Sequence, residues 1–404
     1  MEVTHPQTLL VVLFVAAIAP LFNELPIRLR LPLVVVELLI GMAIGPQGLN
    51  LVAAEGSLQT LSALGLSFLF FLAGLDLDFS KLRGPPLELG ALSWLLSIGL
   101  GLVVIQALYA ADVVTDPVII AVALSTTAIG TLLPILREAG ELETSFGRFV
   151  LGAGAIGEFG PIVLLTLIVT GDQGVAVRSE LLATFIVIAF ACAVVALRLR
   201  PSRVVEMLSR TLQGTSQLPV RLSMLLLAGL VVLADALGLD ILLGAFAAGS
   251  LVGLAARGPG AEPFRQKLDA LGFGFLIPSF FVTSGAQIDL AALFASTRSL
   301  VRVPLFLVLL LIVRGVPTVL YRRELDARER GLLALFSATS LPLIVVIAEL
   351  GKATGRIRPE NAAALVGAGI LSVLIFPLIA LSLRARELAD ASRRDAAVNE
   401  ERRR

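Results

Sequence analysis

Apolar runs fill most of this chain, separated by short polar links; VVLFVAAIAPLF (11–22), LSFLFFLAGL (66–75) and LVLLLIV (307–313) are examples. At 1.5 Å of rise per residue, runs of this kind span the roughly 30 Å of hydrocarbon in a bilayer. Backbone groups find no water there, so each run must be helical or part of a closed barrel. Runs of this length at a helical rise read as an all-α polytopic membrane protein. Composition agrees, with 57% hydrophobic and 16% charged residues and a mean hydropathy of +0.94 over 404 residues. Soluble domains carry nearer 25% charge.

Thirteen segments emerge: Thr8–Phe22, Leu31–Gly48, Leu58–Leu77, Leu87–Tyr109, Val118–Leu136, Phe149–Thr170, Leu181–Leu197, Val220–Ala236, Leu239–Ala255, Leu268–Ala286, Val301–Tyr321, Gly331–Gly351 and Asn361–Leu383. The expected domain is residues 1–383, followed by a short basic tail, 384–404. MEVTHPQ lacks the basic stretch of a secretion signal, so the first segment is expected to be retained. Loops after odd-numbered segments and the tail hold 25 of the 32 Lys and Arg residues, including Arg28, Arg30, Lys81 and Arg83. The positive-inside rule then puts the N-terminus outside and the C-terminus in the cytoplasm. Net charge of +1 gives no case for a nucleic-acid partner, and one Cys with one His leaves no metal cluster or disulfide framework. No cofactor is expected, and no nucleophile–base pair suggests an enzyme.

The chain also repeats itself. ELLIGMAIG (37–45) aligns with AFAAGSLVG (245–253), matching Gly41 to Gly249 and Gly45 to Gly253. LGLSFLFFLAGLDLD (64–78) aligns with LGFGFLIPSFFVTSGAQID (271–289), matching Gly74 to Gly285 and Asp78 to Asp289. Repeats of about 1–172 and 218–383, with 181–197 as a linker helix, are separated by an odd number of crossings. The second is therefore inverted, as in many secondary transporters, whose sites lie at interrupted helices of the two halves.

Segments 5 and 12 are the matched interrupted pair. The first carries Ser125, Thr126, Thr127, Gly130 and Pro134; the second carries Ser337, Thr339, Ser340 and Pro342. Freed carbonyls and hydroxyls are hard oxygen donors that suit a monovalent cation. The plainer alternative is two Ser/Thr–Pro kinks with hydroxyls bonded to their own turns. Segment 6 places Glu158 at mid-membrane, after Gly152, Ala153, Gly154, Ala155 and Gly157 and before Pro161. An acid at that depth costs roughly 2.5–3.5 kcal/mol on insertion scales and usually marks an ion or proton path. Burial disfavours an ionised acid and a cation favours it. Glu158 could thus exchange a proton for a metal ion, or be a static structural acid. Arg314 is the basic residue well inside a segment and the natural charge partner, unless it snorkels to the interface. Glu37 and Glu349 are weaker candidates. Asp112, Asp116, Asp235 and Asp240 lie near external ends, where they could draw cations inward.

LPLVVVELLIGMAIGPQGL, FLFFLAGLDLDFSKLR, ALSTTAIGTLLPILRE, LLGAFAAGSLVG and PSFFVTSGAQIDL, in that order, resemble signatures of cation:proton antiporter family 2. The resemblance covers nearly the whole chain. It implies an inverted-repeat antiporter fold with two crossed discontinuous helices, a homodimer, and a six-helix core moving as an elevator. It places Thr126 and Thr127 at the break and an essential acidic pair at Gly157–Glu158, with Arg314 as the family's basic residue. Here the chain departs from the family, which shows Asp-Asp, Asn-Asp or Gln-Asp at that pair. Because Gly157 cannot titrate and Arg stays protonated, one proton would exchange for one Na⁺ or K⁺, electroneutrally. The expected home is a bacterial inner membrane. Two other functions stay open: a sodium-coupled carrier of a small organic solute and a non-transporting membrane sensor.

Overall fold

The structure, a computed structural model, describes residues 6–21, 33–52, 56–76, 84–142, 144–168, 175–198, 211–212, 214–256, 261–288, 291–292 and 297–401. Arg28, Arg30, Asp78, Lys81, Arg83 and Asp289 lie outside that set. The described residues form helices: α1 Pro6–Ile18, α2 Leu33–Ile44, α3 Ser57–Asp76, α4 Pro85–Ala110, α5 Pro117–Leu124, α6 Ile129–Glu138, α7 Ser145–Ile168 and α8 Val175–Arg198. Then come α9 Leu218–Ala236, α10 Ile241–Ala255, α11 Ala261–Leu271, α12 Ile277–Ala286, α13 Thr297–Gly315, α14 Ala327–Ser337, α15 Pro342–Ala353 and α16 Pro359–Glu401. Each of the thirteen apolar segments contains helix. By length and hydropathy, seven helices can cross a membrane among the described residues, or eight if the bent α14–α15 pair counts as one span. Four of the other segments hold shorter apolar helices: α1, α2 and α10 have 13, 12 and 15 residues, about 18–23 Å of helix at 1.5 Å each, and segment 5 is divided between α5 and α6. The chain is a multi-pass membrane protein. Leu95 and Val103 on α4 and Leu225 and Val232 on α9 are exposed, as lipid-facing side chains must be.

Two compact units make up the chain, and each draws on both halves of the sequence. One comprises Met1–Lys81 and Gly160–Ala291, the other Leu82–Phe159 and Ala292–Arg404. In the first unit the repeated glycines meet helices of the other half. A Cβ on Gly41 would strike the backbone of Val282, and one on Gly249 the backbone of Phe71. Gly45 likewise abuts Ala286 and Gly253 abuts Leu75, while Gly285 abuts Leu38 and Gly74 abuts Phe246. Numbered from the aligned glycines, these are the same three pairs of positions met twice. Val282 and Phe71 each precede their Gly by three, Ala286 and Leu75 each follow it by one, and Leu38 and Phe246 each stand three before theirs. Close helix approach through small residues is the usual packing device in membranes. Between α11 and α12 one wider turn covers Gly272–Leu276, with Ile277 N bonded to Gly272 O. Pro278, which has no N–H to offer Gly274, explains the slip.

In the second unit, an apolar cluster of Leu132, Leu136, Phe146, Phe149, Tyr321, Leu333 and Phe336 binds α6, α7 and α14 together. Asp116 caps α5 through Val118 N (2.9 Å) and Ile119 N (3.2 Å). Its other oxygen takes Arg356 Nε at 2.6 Å, and Arg358 pairs with Asp112 at 2.5 Å. Both aspartates are thus paired with arginines of the α15–α16 link, Asp116 half-buried and Asp112 largely exposed. At the other end, Arg384 forks onto Glu141 (2.7 and 3.3 Å) and lies 5.1 Å above the Phe146 ring. Helix α16 runs on past Arg384, so the expected tail continues as helix to Glu401.

Candidate functional site

Segment 5 is broken where its hydroxyls cluster. Helix α5 ends at Leu124, residues 125–128 are not helical, and α6 begins at Ile129. Neither Gly130 nor Pro134 lies in the break; α6 runs through both positions. The proline is not what interrupts this segment. The hydroxyls hold the end of α5, with Ser125 Oγ donating to Val122 O (2.8 Å) and Thr126 Oγ1 to Ala123 O (2.6 Å). Three successive N–H groups then leave the helix for partners elsewhere in the unit. Thr127 N donates to Gly157 O and Ala128 N to Thr339 O, both at 2.9 Å. Ile129 N donates to the Glu158 carboxylate at 3.1 Å.

Segment 12 breaks at 338–341, and here Pro342 does start the second half, α15. The two breaks are bonded to each other. Beyond the Ala128–Thr339 bond, Thr126 Oγ1 and Ser340 Oγ lie 2.6 Å apart, and Thr127 Oγ1 donates to Ser337 O at 2.5 Å. Ser125, Thr126, Thr127, Thr339 and Ser340 are buried within 1% exposure, where an unbonded polar group is costly.

Glu158 lies on α7 at 5% exposure, within the protein and not against lipid. Its carboxylate sits at the first N–H of α6, an end that carries partial positive charge. Arg314, on α13, is 1% exposed, so it does not snorkel. Its Nε donates to Thr127 Oγ1 (3.1 Å) and Ser337 O (3.2 Å). Its Nη2 donates to Thr127 Oγ1 (2.8 Å) and Ala153 O (3.2 Å), and Nη1 to Ser97 Oγ (3.3 Å). All these acceptors are neutral oxygens, and Ser337 O closes α14, where the helix dipole favours a cation. Acid and base thus bond one short stretch, Arg314 at Thr127 and Glu158 at Ile129, each matched in sign to a helix end.

The Thr127 hydroxyl has one proton and two lone pairs. It donates once, to Ser337, and accepts twice, from Arg314. Its oxygen has nothing left for a metal ion in this arrangement, so Thr127 belongs to the frame of the site. Thr126 and Ser340, bonded to each other, keep acceptor capacity. Two further residues were not evident from sequence: Ser97, which receives Arg314, and Ser372, whose Oγ accepts from Ser340 N (3.0 Å) and whose proton lies between Ser340 O (2.9 Å) and Gly369 O (2.8 Å). A lone serine in an apolar helix looks like one bonded to its own turn, which is why these two gave no signal. Gly157, already named as part of the acidic-pair position, lacks a side chain and so makes room for the guanidinium.

The profile of the family described as sodium/hydrogen exchanger, transmembrane, matches residues 12–381. YjbQ of Bacillus subtilis (strain 168), a Na(+)/H(+) antiporter candidate by its name, is 31% identical over 405 residues, which is 95% of this chain and 64% of that protein. The chain thus spans somewhat under two thirds of that relative. The Na(+)/H(+) antiporter of Enterococcus hirae is 23% identical over 363 residues, 87% of this chain and 91% of its own length. Among solved structures, the sodium proton antiporter MjNhaP1 from Methanocaldococcus jannaschii superposes with a TM-score of 0.61 at 15% identity, covering 94% of this chain and 95% of that one, and so shares its fold.

Proposed function

Because the chain belongs to the sodium/hydrogen exchanger family of transmembrane proteins, we propose that it exchanges Na⁺ or K⁺ for H⁺ by alternating access, with Glu158 as the exchanging group. The observation that carries this is a buried carboxylate bonded to the first N–H of a broken helix, Glu158 on Ile129 N. An ionised carboxylate so placed meets the positive end of a helix dipole, and carboxylate oxygens are hard donors of the kind an alkali cation takes. Ionised, it binds the cation together with the Thr126 and Ser340 hydroxyls. Protonated, it releases the cation, and the cycle repeats on the other side. Arg314 holds a constant charge and Gly157 none, so one proton balances one monovalent cation and exchange is electroneutral.

The rest of the reading follows from how the residues are partitioned. All site residues belong to one of two compact units. We take that unit as the elevator that moves and the other, with its twice-used glycine contacts, as the dimerising scaffold of a homodimer. The Lys and Arg distribution supports an N-terminus outside and a cytoplasmic C-terminus in a bacterial inner membrane. The test is reconstitution in liposomes with an internal pH dye and a preset pH gradient. Addition of Na⁺ or K⁺ alone should dissipate the gradient in the wild type and not in Glu158→Gln, purified with unchanged gel-filtration profile. Equal dissipation by the variant would sink the assignment of Glu158. Dissipation only when an organic solute accompanies the cation would favour a sodium-coupled carrier instead.

A further inference from the structure

We infer that Gly157 and Arg314 form one size-matched unit: the guanidinium occupies the place a side chain at 157 would take, and does its work of holding the unwound segment. The inference rests on the exchange reading for its functional consequence. Its geometric basis is independent of it. A Cβ added to Gly157 would lie 2.6 Å from Arg314 Nη2, 2.6 Å from Thr127 Oγ1 and 2.8 Å from Thr127 Cβ. Real Cβ atoms do not approach so closely, so one of these neighbours must give way. Neither is at liberty to do so cheaply. Thr127 is bonded through its N–H to Gly157 O and through its hydroxyl to Ser337 O. Arg314 is bonded to four separate residues: Ser97, Thr127, Ala153 and Ser337.

Among the atoms in the way is Nη2, one arm of the guanidinium fork, as close as Thr127 Oγ1. It carries the 2.8 Å bond to Thr127 Oγ1 and the bond to Ala153 O, one turn before Gly157 on α7. A lysine at 314 would end in a single ammonium with no second arm, and it could not serve Thr127 and Ala153 in the same fixed plane. Arginine at 314 and glycine at 157 are therefore chosen together. Arg314 is a positioning residue: it touches neither proton nor cation, and it sets the register of Thr127, hence of Ile129 N, hence of the Glu158 carboxylate beside it. Glycine at 157 is the condition that lets it do so.

A double-mutant cycle tests this, with Gly157→Ala, Arg314→Lys and the double variant measured for exchange rate, half-saturating cation concentration and melting temperature in detergent. Gly157→Ala alone should lower the exchange rate at least tenfold and raise the half-saturating cation concentration several-fold. In the Arg314→Lys background the same Gly157→Ala change should cost at least fivefold less, because the second arm is gone. Equal costs in the two backgrounds would make Thr127 alone the wall and overturn the inference; so would a harmless Gly157→Ala in the arginine background. If the wild type itself moves no proton in exchange for Na⁺ or K⁺, the proposed function fails and not the size match. The cycle is then read from melting temperatures, where the same non-additivity is expected and its absence is again fatal.

Discussion

The two broken segments are built alike and finished differently. Each is interrupted at a cluster of hydroxyls, each resumes as a short helix, and each receives a side chain from the segment that follows it. At the first break that side chain is Glu158, on Ile129 N at 3.1 Å. At the second it is Ser372, whose Oγ accepts from Ser340 N (3.0 Å) and whose one proton is shared between Ser340 O (2.9 Å) and Gly369 O (2.8 Å). A hydroxyl does not titrate in the physiological range; a carboxylate can. One break is therefore equipped to change charge, and the other is fixed as a neutral frame. Arg314 belongs with the first break by its Thr127 bonds and with the second by its bond to Ser337 O, so it ties the charged side to the neutral one.

If that division is right, loss of the tie should hurt most after loss of Glu158 itself. Arg314→Ala takes a donor from Thr127 Oγ1, Ser337 O and Ala153 O, all in a buried region, and leaves Ser337 O only the Thr127 hydroxyl. A buried acceptor left without its donor costs about 1–3 kcal/mol. Exchange should fall by more than tenfold and the melting temperature should drop by several degrees. A variant with normal stability and normal exchange would show that the charge at 314 is dispensable and would dissolve the link between the breaks. Ser372→Ala should do less. It orphans Ser340 N, at about 1–2 kcal/mol, and should lower melting temperature while leaving the exchange rate within threefold and its pH profile unmoved. A Ser372→Ala protein as inactive as Glu158→Gln would mean that the two breaks do not differ in kind.

Much of this was legible in the sequence where chemistry repeats. The hydroxyl clusters at 125–127 and 337–340 mark both breaks, and the aligned glycines 41/249, 45/253 and 74/285 mark contacts that recur pair for pair. Proline was a mixed guide. Pro342 opens a helix, where its missing N–H costs nothing, whereas position 134 falls inside α6, six residues beyond the break. What unwinds segment 5 is the set of bonds its N–H groups make to Gly157, Thr339 and Glu158, residues distant in sequence. No local pattern carries that information. The same holds for Asp112 and Asp116, whose arginine partners lie some 240 residues later. Gly157 looked like a lost polar residue, and only the position of Arg314 Nη2 shows what took its place.

The smallest expected effect is also the one that separates ligand from scaffold. Thr126 Oγ1 donates its proton to Ala123 O, so the 2.6 Å contact with Ser340 Oγ must use the Ser340 proton. The pair then points one half-filled acceptor, Thr126 Oγ1, and one open acceptor, Ser340 Oγ, at its surroundings. Thr126→Val keeps the shape of the side chain and removes both functions of its oxygen. If the hydroxyls coordinate the cation, the variant should raise the half-saturating concentration two- to five-fold, shift the Na⁺ to K⁺ preference, and leave the maximal rate nearly intact. Ser340→Ala should do the same, and the double variant should be little worse than either alone, since each single change already breaks the pair. If the hydroxyls only brace the crossing, melting temperature should fall while half-saturation and ion preference stay put. The first outcome places the cation across both breaks; the second confines it to the charged one.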